Sequence, residues 1–300
     1  MTRYGIIDVG SNTIRTVVYE VEGRNYKELI NEKDFSGIIS YVKDGTLSED
    51  GREKLIQVLT DMSTLCRLLG CKQTHCFATA SLRNVENIDT LLGKIQEQAN
   101  LQVHLISGEQ EAAYDYAGLR SAVETHDGIG LDLGGGSCQI FHYQNDAVIH
   151  AVSLPIGCLR IHNEFVKGIM PTAKETKAIR GYVLEQLKKV PELRKLGYDT
   201  LYGMGGTARA GAKLHKAFVG KDKGGLLTLE QIDDLCNLVN DLELNGVRLI
   251  GQVLPERVTT ILPGLLTLQT ICKYVGAQQM QVVKAGVREG YLWENILNHS

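Results

Sequence analysis

Two short stretches of this 300-residue chain decide its fold: Asp8-Val9-Gly10-Ser11-Asn12-Thr13 near the beginning and Asp132-Leu133-Gly134-Gly135-Gly136-Ser137 near the middle. Each starts with an acid, continues with glycine and ends with a hydroxyl residue. Each also lies between two short runs of apolar and β-branched residues, which predict strands. A pattern of strand, acid-glycine turn and strand that occurs twice indicates an internal duplication.

The segments around the two turns predict alternating strands and helices. Ser48 is the predicted N-cap of a helix that ends at Gly70, because apolar residues recur at helical spacing between them. Ser107 and Gln110 have the spacing of a capping box, which opens a helix through about Ala122. This alternation predicts an α/β layered fold. The other predicted strands lie at 4–7, 16–19, 74–78, 103–106, 129–131, 139–143 and 200–202, and the other predicted helices at 88–98, 174–189, 209–218, 229–242 and from 286 onward.

The composition argues against several classes of protein. With 43% apolar residues, the chain can form one large or two ordinary domains. A formal net charge of −3 gives no overall attraction to nucleic acid or to an anionic membrane, so neither is expected as a partner. The seven cysteines form no Cys-x-x-Cys pair, which favours reduced, structural thiols. Asp8 interrupts any signal-peptide run and no apolar segment reaches spanning length, so a cytoplasmic location is expected.

The acid-glycine turns have the composition of an anion site. Glycine lets the backbone approach an anion closely, and the neighbouring N–H groups and hydroxyls suit phosphate oxygens. A lone Asp-x-Gly is more often a simple hairpin turn, but its recurrence favours a functional interpretation. A third turn, Gly205-Gly206-Thr207, follows a predicted strand and precedes a predicted helix.

These features together resemble the fold shared by actin, sugar kinases and chaperone ATPases. Within that fold, the chain resembles a short form of the exopolyphosphatase/guanosine pentaphosphate phosphohydrolase (Ppx/GppA) family, along essentially its whole length. The segments that carry the resemblance are Asp8 to Arg15, Ala78 to Arg83, Ile106 to Ala112, Asp132 to Ser137, Ser153 to Arg160, Gly205 to Thr207, Glu256 to Gly264 and Gly286 to Gly290.

The resemblance implies an α/β fold of two actin-like (ribonuclease H-like) lobes related by duplication, with a phosphate-binding cleft between them. We place the lobes at residues 1–122 and 123–300, with the final helix packing back on the first lobe. The resemblance also implies a cytoplasmic, dimeric hydrolase that releases terminal phosphate from inorganic polyphosphate or guanosine pentaphosphate. Mg²⁺, or another divalent cation such as Mn²⁺, is the implied cofactor. Both substrates end in the same phosphoanhydride, so both stay open.

Residue roles follow from the same resemblance. Glu111 matches the catalytic base, and a water that attacks phosphorus needs such an acceptor; the alternative is an acid that favours the positive end of its helix. Asp8 and Asp132 would hold Mg²⁺ directly or through water. Arg15 and Arg83 would neutralise phosphate charge, with structural pairing as the alternative. The predicted phosphate-binding residues are Gly10, Ser11, Asn12, Thr13, Gly134, Gly135, Gly136, Ser137, Gly205, Gly206 and Thr207.

One departure from the family pattern leaves alternatives open. The family usually has glutamate where this chain has Gln139, which adds no charge to attract Mg²⁺ and can accept a hydrogen bond through its amide oxygen. This keeps open a weakly active or non-catalytic sensor of guanosine tetra- or pentaphosphate or polyphosphate. An ATP-dependent kinase or ATPase of the same superfamily is a further alternative, against which the Glu111 and Arg83 motifs argue.

A locally basic stretch follows the third turn. It would steer a long phosphate chain, although a solvated helix face is the favoured interpretation. Its basic residues are Arg209, Lys213, His215, Lys216, Lys221 and Lys223.

Overall fold

The computed structural model describes residues 1–83, 85–220, 224–241 and 243–299, so Lys221, Lys223 and Leu242 of the predicted elements lie outside the described residues. The chain divides into two compact units. Unit 1 comprises Met1–Glu111 and Tyr291–Ser300, and unit 2 comprises Ala112–Gly290. The units divide inside a helix that continues to Ala122, the residue at which we placed the lobe boundary.

Unit 1 contains one main sheet with helices from the intervening segments. A stacked ring pair, Phe77 and Tyr291 at 4.9 Å between centroids, joins its two chain segments. The elements are β1 (Thr2–Val9), β2 (Ile14–Glu22), β3 (Asn25–Asp34), β4 (Val42–Lys43), β5 (Thr46–Leu47), α1 (Glu49–Leu68), β6 (Gln73–Ala78), α2 (Ala80–Arg83), α3 (Ile88–Ala99), β7 (Val103–Leu105) and the start of α4 (Gly108–Ala122).

The sheet of unit 1 has the strand order β3-β2-β1-β6-β7. The first three strands are antiparallel neighbours, while β6 and β7 run parallel to β1. Helix α1 begins as predicted, since the Ser48 hydroxyl accepts the Gly51 N–H at 3.2 Å. It ends before Gly70, whose φ of 71° suits glycine at a helix end. Its buried face, including Leu55 and Leu59, packs in the core of this unit.

Unit 2 has a second sheet and a larger set of helices. Its elements are β8 (Gly128–Leu133), β9 (Cys138–Gln144), β10 (Ala147–Leu154), α5 (Cys158–Phe165), α6 (Ala173–Lys188), β11 (Thr200–Met204), α7 (Gly205–Val219), β12 (Leu226–Thr228), α8 (Leu229–Asp241), α9 (Glu243–Val253), α10 (Ile261–Val275), β13 (Gln279–Val282) and α11 (Val287–Asn295), which continues into unit 1.

The second sheet repeats the plan of the first. Its order is β10-β9-β8-β11-β13-β12, and the first five positions have the same parallel and antiparallel pairings as the sheet of unit 1. Strand β12 adds an antiparallel edge. The predicted α/β class and the predicted duplication are therefore confirmed.

The sequence prediction missed several elements, among them α5, α9, α10, β3, β10 and β13. Helix α10 is buried on nearly every side, so its apolar residues show no one-sided helical pattern. Strand β3 is an exposed, charged edge strand, and β10 also lies at a sheet edge. Within the described ranges, no helix combines the length and apolar character needed to cross a membrane.

The seven cysteines are free, and six of them are buried. Burial raises the pKa of Cys66 to about 12, and it raises the pKa of Cys236 and Cys272 to about 12 as well. Such thiols are poor nucleophiles and poor metal ligands near neutral pH. Their role in this fold is packing.

Candidate functional site

The first acid-glycine turn connects β1 to β2 in unit 1. The Gly10 N–H donates to the Thr13 carbonyl at 3.1 Å, and a Cβ at Gly10 would lie 2.9 Å from that oxygen. Across the sheet, Asp8 lies opposite Arg15, and Arg15 lies opposite Lys33. Directly opposed residues of antiparallel strands project from the same face. One acid and two basic residues therefore form a row beside the turn.

The loop after β3 binds the carbonyl groups of this turn. Gly37 donates its N–H to the Asn12 carbonyl at 3.1 Å, and Ile39 donates to the Ser11 carbonyl at 3.2 Å. Ser11 is buried, while Asn12 and Thr13 are half-buried. Because these carbonyls already have donors, the polar groups that the turn offers an anion are its N–H groups and side chains.

Arg83 and Glu111 form an ion pair within unit 1. Arg83 Nη2 lies 2.7 Å from Glu111 Oε2, and Arg83 Nε donates to the Ile106 carbonyl at 3.0 Å. Glu111 is only 7% exposed. Thr79, which precedes α2, donates its N–H to the carbonyl of Val9, the last residue of β1. Short helix α2 thus links the ion pair to the first turn.

A capping box positions Glu111 at the start of α4. The Ser107 N–H donates to Gln110 Oε1 at 2.8 Å, and the Gln110 N–H donates to Ser107 Oγ at 3.1 Å, which confirms the predicted motif. The Glu111 N–H donates to the Ser107 carbonyl at 2.9 Å. The carboxylate therefore has the helix-end position that suits an acid and, in addition, a guanidinium partner that orients it.

The second acid-glycine turn connects β8 to β9 in unit 2 and closes like the first. The Gly134 N–H donates to the Ser137 carbonyl at 3.0 Å. Asp132 lies opposite Gln139, and Gln139 lies opposite Ser153. The row beside this turn consists of one acid and two neutral polar residues, in contrast to the charged row of unit 1.

The amino terminus of helix α5 binds the carbonyl groups of the second turn. Cys158 donates its N–H to the Gly134 carbonyl at 3.0 Å, and the next two residues donate to the Gly135 carbonyl at 2.9 and 3.0 Å. A Cβ at Gly157 would overlap the backbone of this turn. The end of the segment 153–160, which the sequence marked only by its resemblance to the family, therefore stabilises the turn by donating hydrogen bonds to its carbonyl groups.

The third glycine turn is the beginning of helix α7. We predicted a helix from Arg209; the helix instead starts at Gly205, whose φ of 82° and contact with the Asp132 carboxylate both require glycine. Thr207 is 1% exposed and its hydroxyl donates to Cys158 Sγ at 3.5 Å. The first N–H groups of the helix have no partners in their own helix and suit an anion.

Three arginines gather near the start of α7. The guanidinium of Arg257 occupies the space that a Cβ at Gly206 would need. Burial lowers the pKa of Arg209, as do Arg288 and Arg257, while carboxylates including Asp132 act in the opposite direction. The predicted roles did not include Arg257 or Arg288. Each of the two lies in a segment that resembles the family, and this resemblance is the signal by which the sequence could have identified them.

The described part of the predicted basic stretch divides in two. Lys213 and Lys216 are exposed and His215 is half-buried, as expected for a solvated helix face. Arg209 belongs instead to the charged cluster with Asp132. Its position one helical turn after Gly205 explains the difference.

The donors at the two turns fit a hard cation that binds together with phosphate. Among the residues that the structure describes, no three or more His, Cys, Asp or Glu side chains are arranged to hold a metal ion. Asp8 and Asp132 each bring a carboxylate beside a turn. Mg²⁺ typically keeps several waters and uses one or two carboxylates plus substrate phosphates, so such carboxylates suit it. Metal binding by these two acids stays a prediction.

The structure distributes the predicted site residues over the two units. The predicted cleft between the lobes stays a prediction. Unit 1 holds Asp8, Gly10, Ser11, Asn12, Thr13, Arg15, Arg83 and Glu111, and unit 2 holds Asp132, Gly134, Gly135, Gly136, Ser137, Gly205, Gly206 and Thr207.

Two units with one strand order, and with an acid-glycine turn at the same position in each, define the class as a duplicated α/β protein of the actin-like fold. The chain belongs to the Ppx/GppA phosphatase family, whose model matches residues 17–299. The predicted family and the predicted enzyme class are therefore confirmed.

Individual relatives support this assignment. Exopolyphosphatase 1 of Mycobacterium tuberculosis is 22% identical over 299 residues, covering 97% of this chain and 87% of the relative. The guanosine-5′-triphosphate,3′-diphosphate pyrophosphatase of Aeromonas hydrophila is 25% identical and covers 97% of this chain, which spans 58% of that protein's length. The crystal structure of the Aquifex aeolicus family member matches with a TM-score of 0.82 at 26% identity, covering 100% of this chain and 99% of the other.

Proposed function

We propose that this protein hydrolyses terminal phosphoanhydride bonds, releasing phosphate from inorganic polyphosphate, from guanosine pentaphosphate, or from both. The observation that carries the proposal is the Arg83–Glu111 pair, because it joins an oriented carboxylate to the segment that meets the first glycine turn. The family and the names of its members support the choice of phosphoanhydrides.

The first turn would bind the phosphate that is transferred. Its N–H groups, the Ser11 and Thr13 hydroxyls and the Asn12 amide provide donors for phosphate oxygens. Arg15, one residue beyond the start of β2, adds a guanidinium whose planar shape matches two oxygens. These groups would stabilise the charge that spreads over the phosphoryl oxygens during transfer.

Glu111 would act as the general base. A water oxygen bonds to the terminal phosphorus, Glu111 takes a proton from that water, and the bridging P–O bond breaks with its electron pair on the leaving phosphate. Arg83 would orient the carboxylate through the 2.7 Å contact to Oε2. Low exposure of Glu111 keeps bulk water from competing for this orientation.

Mg²⁺ is the proposed cofactor, with Asp8 and Asp132 as the acids that would hold it directly or through water. When bound, it would neutralise phosphate charge that the carboxylates otherwise repel. A cytoplasmic location and a homodimer complete the proposal and rest on the family resemblance. Sedimentation of the purified chain at several concentrations tests the dimer.

Phosphate release from long-chain polyphosphate, guanosine pentaphosphate and ATP, each with Mg²⁺ and with EDTA, tests the proposed reaction. We expect release from one or both of the first two substrates, dependence on Mg²⁺, and little release from ATP. Tight binding of guanosine pentaphosphate without release would favour the sensor, for which the neutral Gln139 is the supporting feature. Turnover of ATP alone would favour a kinase or ATPase.

Glu111→Gln tests the general base. Phosphate release should fall at least about 100-fold while ligand affinity stays similar, because the amide keeps the shape but accepts no proton. The matched control is Glu109→Gln, which removes an exposed acid from the first turn of the same helix. Equal losses in the two variants would mean that Glu111 serves only the helix end.

A further inference from the structure

Gln139 is the donor in two side-chain hydrogen bonds. Its Nε2 donates to Ser137 Oγ at 3.0 Å and to Ser153 Oγ at 2.9 Å. Gln139 is 2% exposed and Ser137 is 9% exposed, so this network is shielded from solvent. The sequence predicts an acceptor role for the Gln139 amide, whereas both hydrogen bonds use its donor nitrogen.

The direction of these bonds determines what Ser137 can offer. A serine hydroxyl has one hydrogen and two acceptor sites. Because Ser137 Oγ accepts a hydrogen from Gln139, its own hydrogen must point to a different acceptor. Ser137 ends the second turn, where Gly134 donates to the Ser137 carbonyl at 3.0 Å. Its hydroxyl hydrogen is therefore available at a turn whose backbone is suited to phosphate.

A carboxylate at position 139 would reverse this arrangement. It has no hydrogen to donate when ionised, so the Ser137 and Ser153 hydroxyls would both donate into it. It would also stand directly across the strand pair from Asp132, and opposed like charges are unfavourable. A neutral amide avoids both effects.

Resting on the proposed function, we infer that Gln139 is a positioning residue that makes the Ser137 hydroxyl a hydrogen-bond donor to a ligand phosphate. The second turn thus binds phosphate through neutral donors. Gln139 itself touches no ligand atom in this arrangement and acts through Ser137. Ser153 holds the other amide hydrogen and fixes the orientation of the side chain.

A double-mutant cycle on tripolyphosphate binding tests the inference. The variants are Gln139→Glu, Ser137→Ala and the combination, and the measurement is calorimetric affinity with EDTA and with Mg²⁺. Gln139→Glu should weaken tripolyphosphate binding at least tenfold in the chain that has Ser137. The effect should be much smaller in the Ser137→Ala background, because that variant has no hydroxyl whose hydrogen the new carboxylate could accept. The residual effect in that background measures simple charge repulsion.

Kinetics and a matched control separate positioning from misfolding. Gln139→Glu should raise KM for phosphate release while changing kcat by less than about threefold. Gln144→Glu is the control, because it makes the same substitution at an exposed position of the same strand, and it should match the parent chain.

The outcomes distinguish this inference from the proposed function. Two results would overturn the positioning role and leave the proposed hydrolase activity intact. One is an equal effect of Gln139→Glu with and without the Ser137 hydroxyl. The other is tighter binding of tripolyphosphate by Gln139→Glu than by the parent chain when Mg²⁺ is present. A parent chain that neither binds tripolyphosphate nor releases phosphate would overturn both.

Discussion

The two acid-glycine turns share a backbone and differ in the side chains beside it. In both, the glycine two residues after the acid donates its N–H to the carbonyl of the closing hydroxyl residue, at 3.1 and 3.0 Å. The row in unit 1 continues from its acid to Arg15 and Lys33, while the row in unit 2 continues to Gln139 and Ser153. The two turns therefore close with the same backbone hydrogen bond. The first row thus has two basic residues beside its acid, and the second row has only neutral side chains beside its acid.

The elements that donate hydrogen bonds to the carbonyl groups of the two turns also differ. A loop provides the donors to the first turn, through Gly37 and Ile39, whereas the start of helix α5 provides those to the second. The same backbone requirement is thus met by two different local structures.

The largest expected effect compares the first acid-glycine turn with the third glycine turn, at the start of α7, in their tolerance of an added methyl group. Gly205→Ala should destabilise the protein by about 2–5 kcal/mol, because the residue has a φ of 82° and its Cβ would overlap the Asp132 carboxylate. Gly10→Ala should cost about 1–3 kcal/mol, since its Cβ would meet one carbonyl oxygen at 2.9 Å. Urea unfolding of both variants measures the difference.

A third glycine provides the control for that experiment. Gly93 lies exposed within helix α3, and a Cβ there meets nothing within 4 Å. Gly93→Ala should therefore be neutral or stabilise by up to about 1 kcal/mol. A larger loss for Gly10→Ala than for Gly205→Ala would contradict the geometry described for the first and third glycine turns.

The next effect concerns the residue that lies opposite the acid in each row, which is Arg15 in unit 1 and Gln139 in unit 2. Arg15→Ala should reduce kcat/KM for phosphate release by about 100-fold, because a charge-assisted contact to phosphate is lost. Gln139→Ala should reduce it by less than about tenfold, since it removes the orientation of one hydroxyl. Lys27→Ala, at the other end of β3, is the exposed control. Equal losses for Arg15 and Gln139 would mean that the two rows have the same role.

The smallest effect concerns a histidine in each sheet. His75 Nδ1 lies 3.3 Å from the Tyr291 hydroxyl, and His142 Nε2 lies 3.2 Å from the Tyr198 hydroxyl. Burial lowers the pKa of each, with His104 acting in the same direction on His75. The unfolded chain then binds more protons, so stability falls as pH drops below about 6.5 and the fall is complete below the folded pKa.

His75→Gln and His142→Gln test this acid sensitivity in the two units. Each variant should flatten the decline of unfolding free energy between pH 7 and pH 5, and the double variant should flatten it further. Urea unfolding across that range is the measurement. A steeper decline in either variant would show that the histidine is stabilised, rather than destabilised, when protonated.

Much of the fold could be predicted from local patterns. The α1 cap at Ser48, the capping box at Ser107 and the two hairpin turns were correct because each depends on residues a few positions apart. Helix α10 was missed because burial on all sides removes the periodicity that marks a helix. The start of α7 was placed too late because glycine at its first positions lowers helix propensity.

The candidate site was predictable as a list of residues and not as a set of partners. Family resemblance selected Arg83 and Glu111, but their contact at 2.7 Å joins residues 28 positions apart. The donor role of Gln139 was not predictable either, since an amide offers both a donor and an acceptor and only its neighbours choose between them.

The amino-acid sequence by itself determined the repeated strand-turn-strand units, the glycines that the turns require and the acids that precede them. These features depend on backbone conformation and on spacing within short segments. Tertiary structure decided which residues lie next to each other: Arg83 and Glu111, the Asp132 carboxylate and Gly205, and Gln139 and the hydroxyls of Ser137 and Ser153. Such contacts depend on strand order and register, which bring together residues that no local pattern connects.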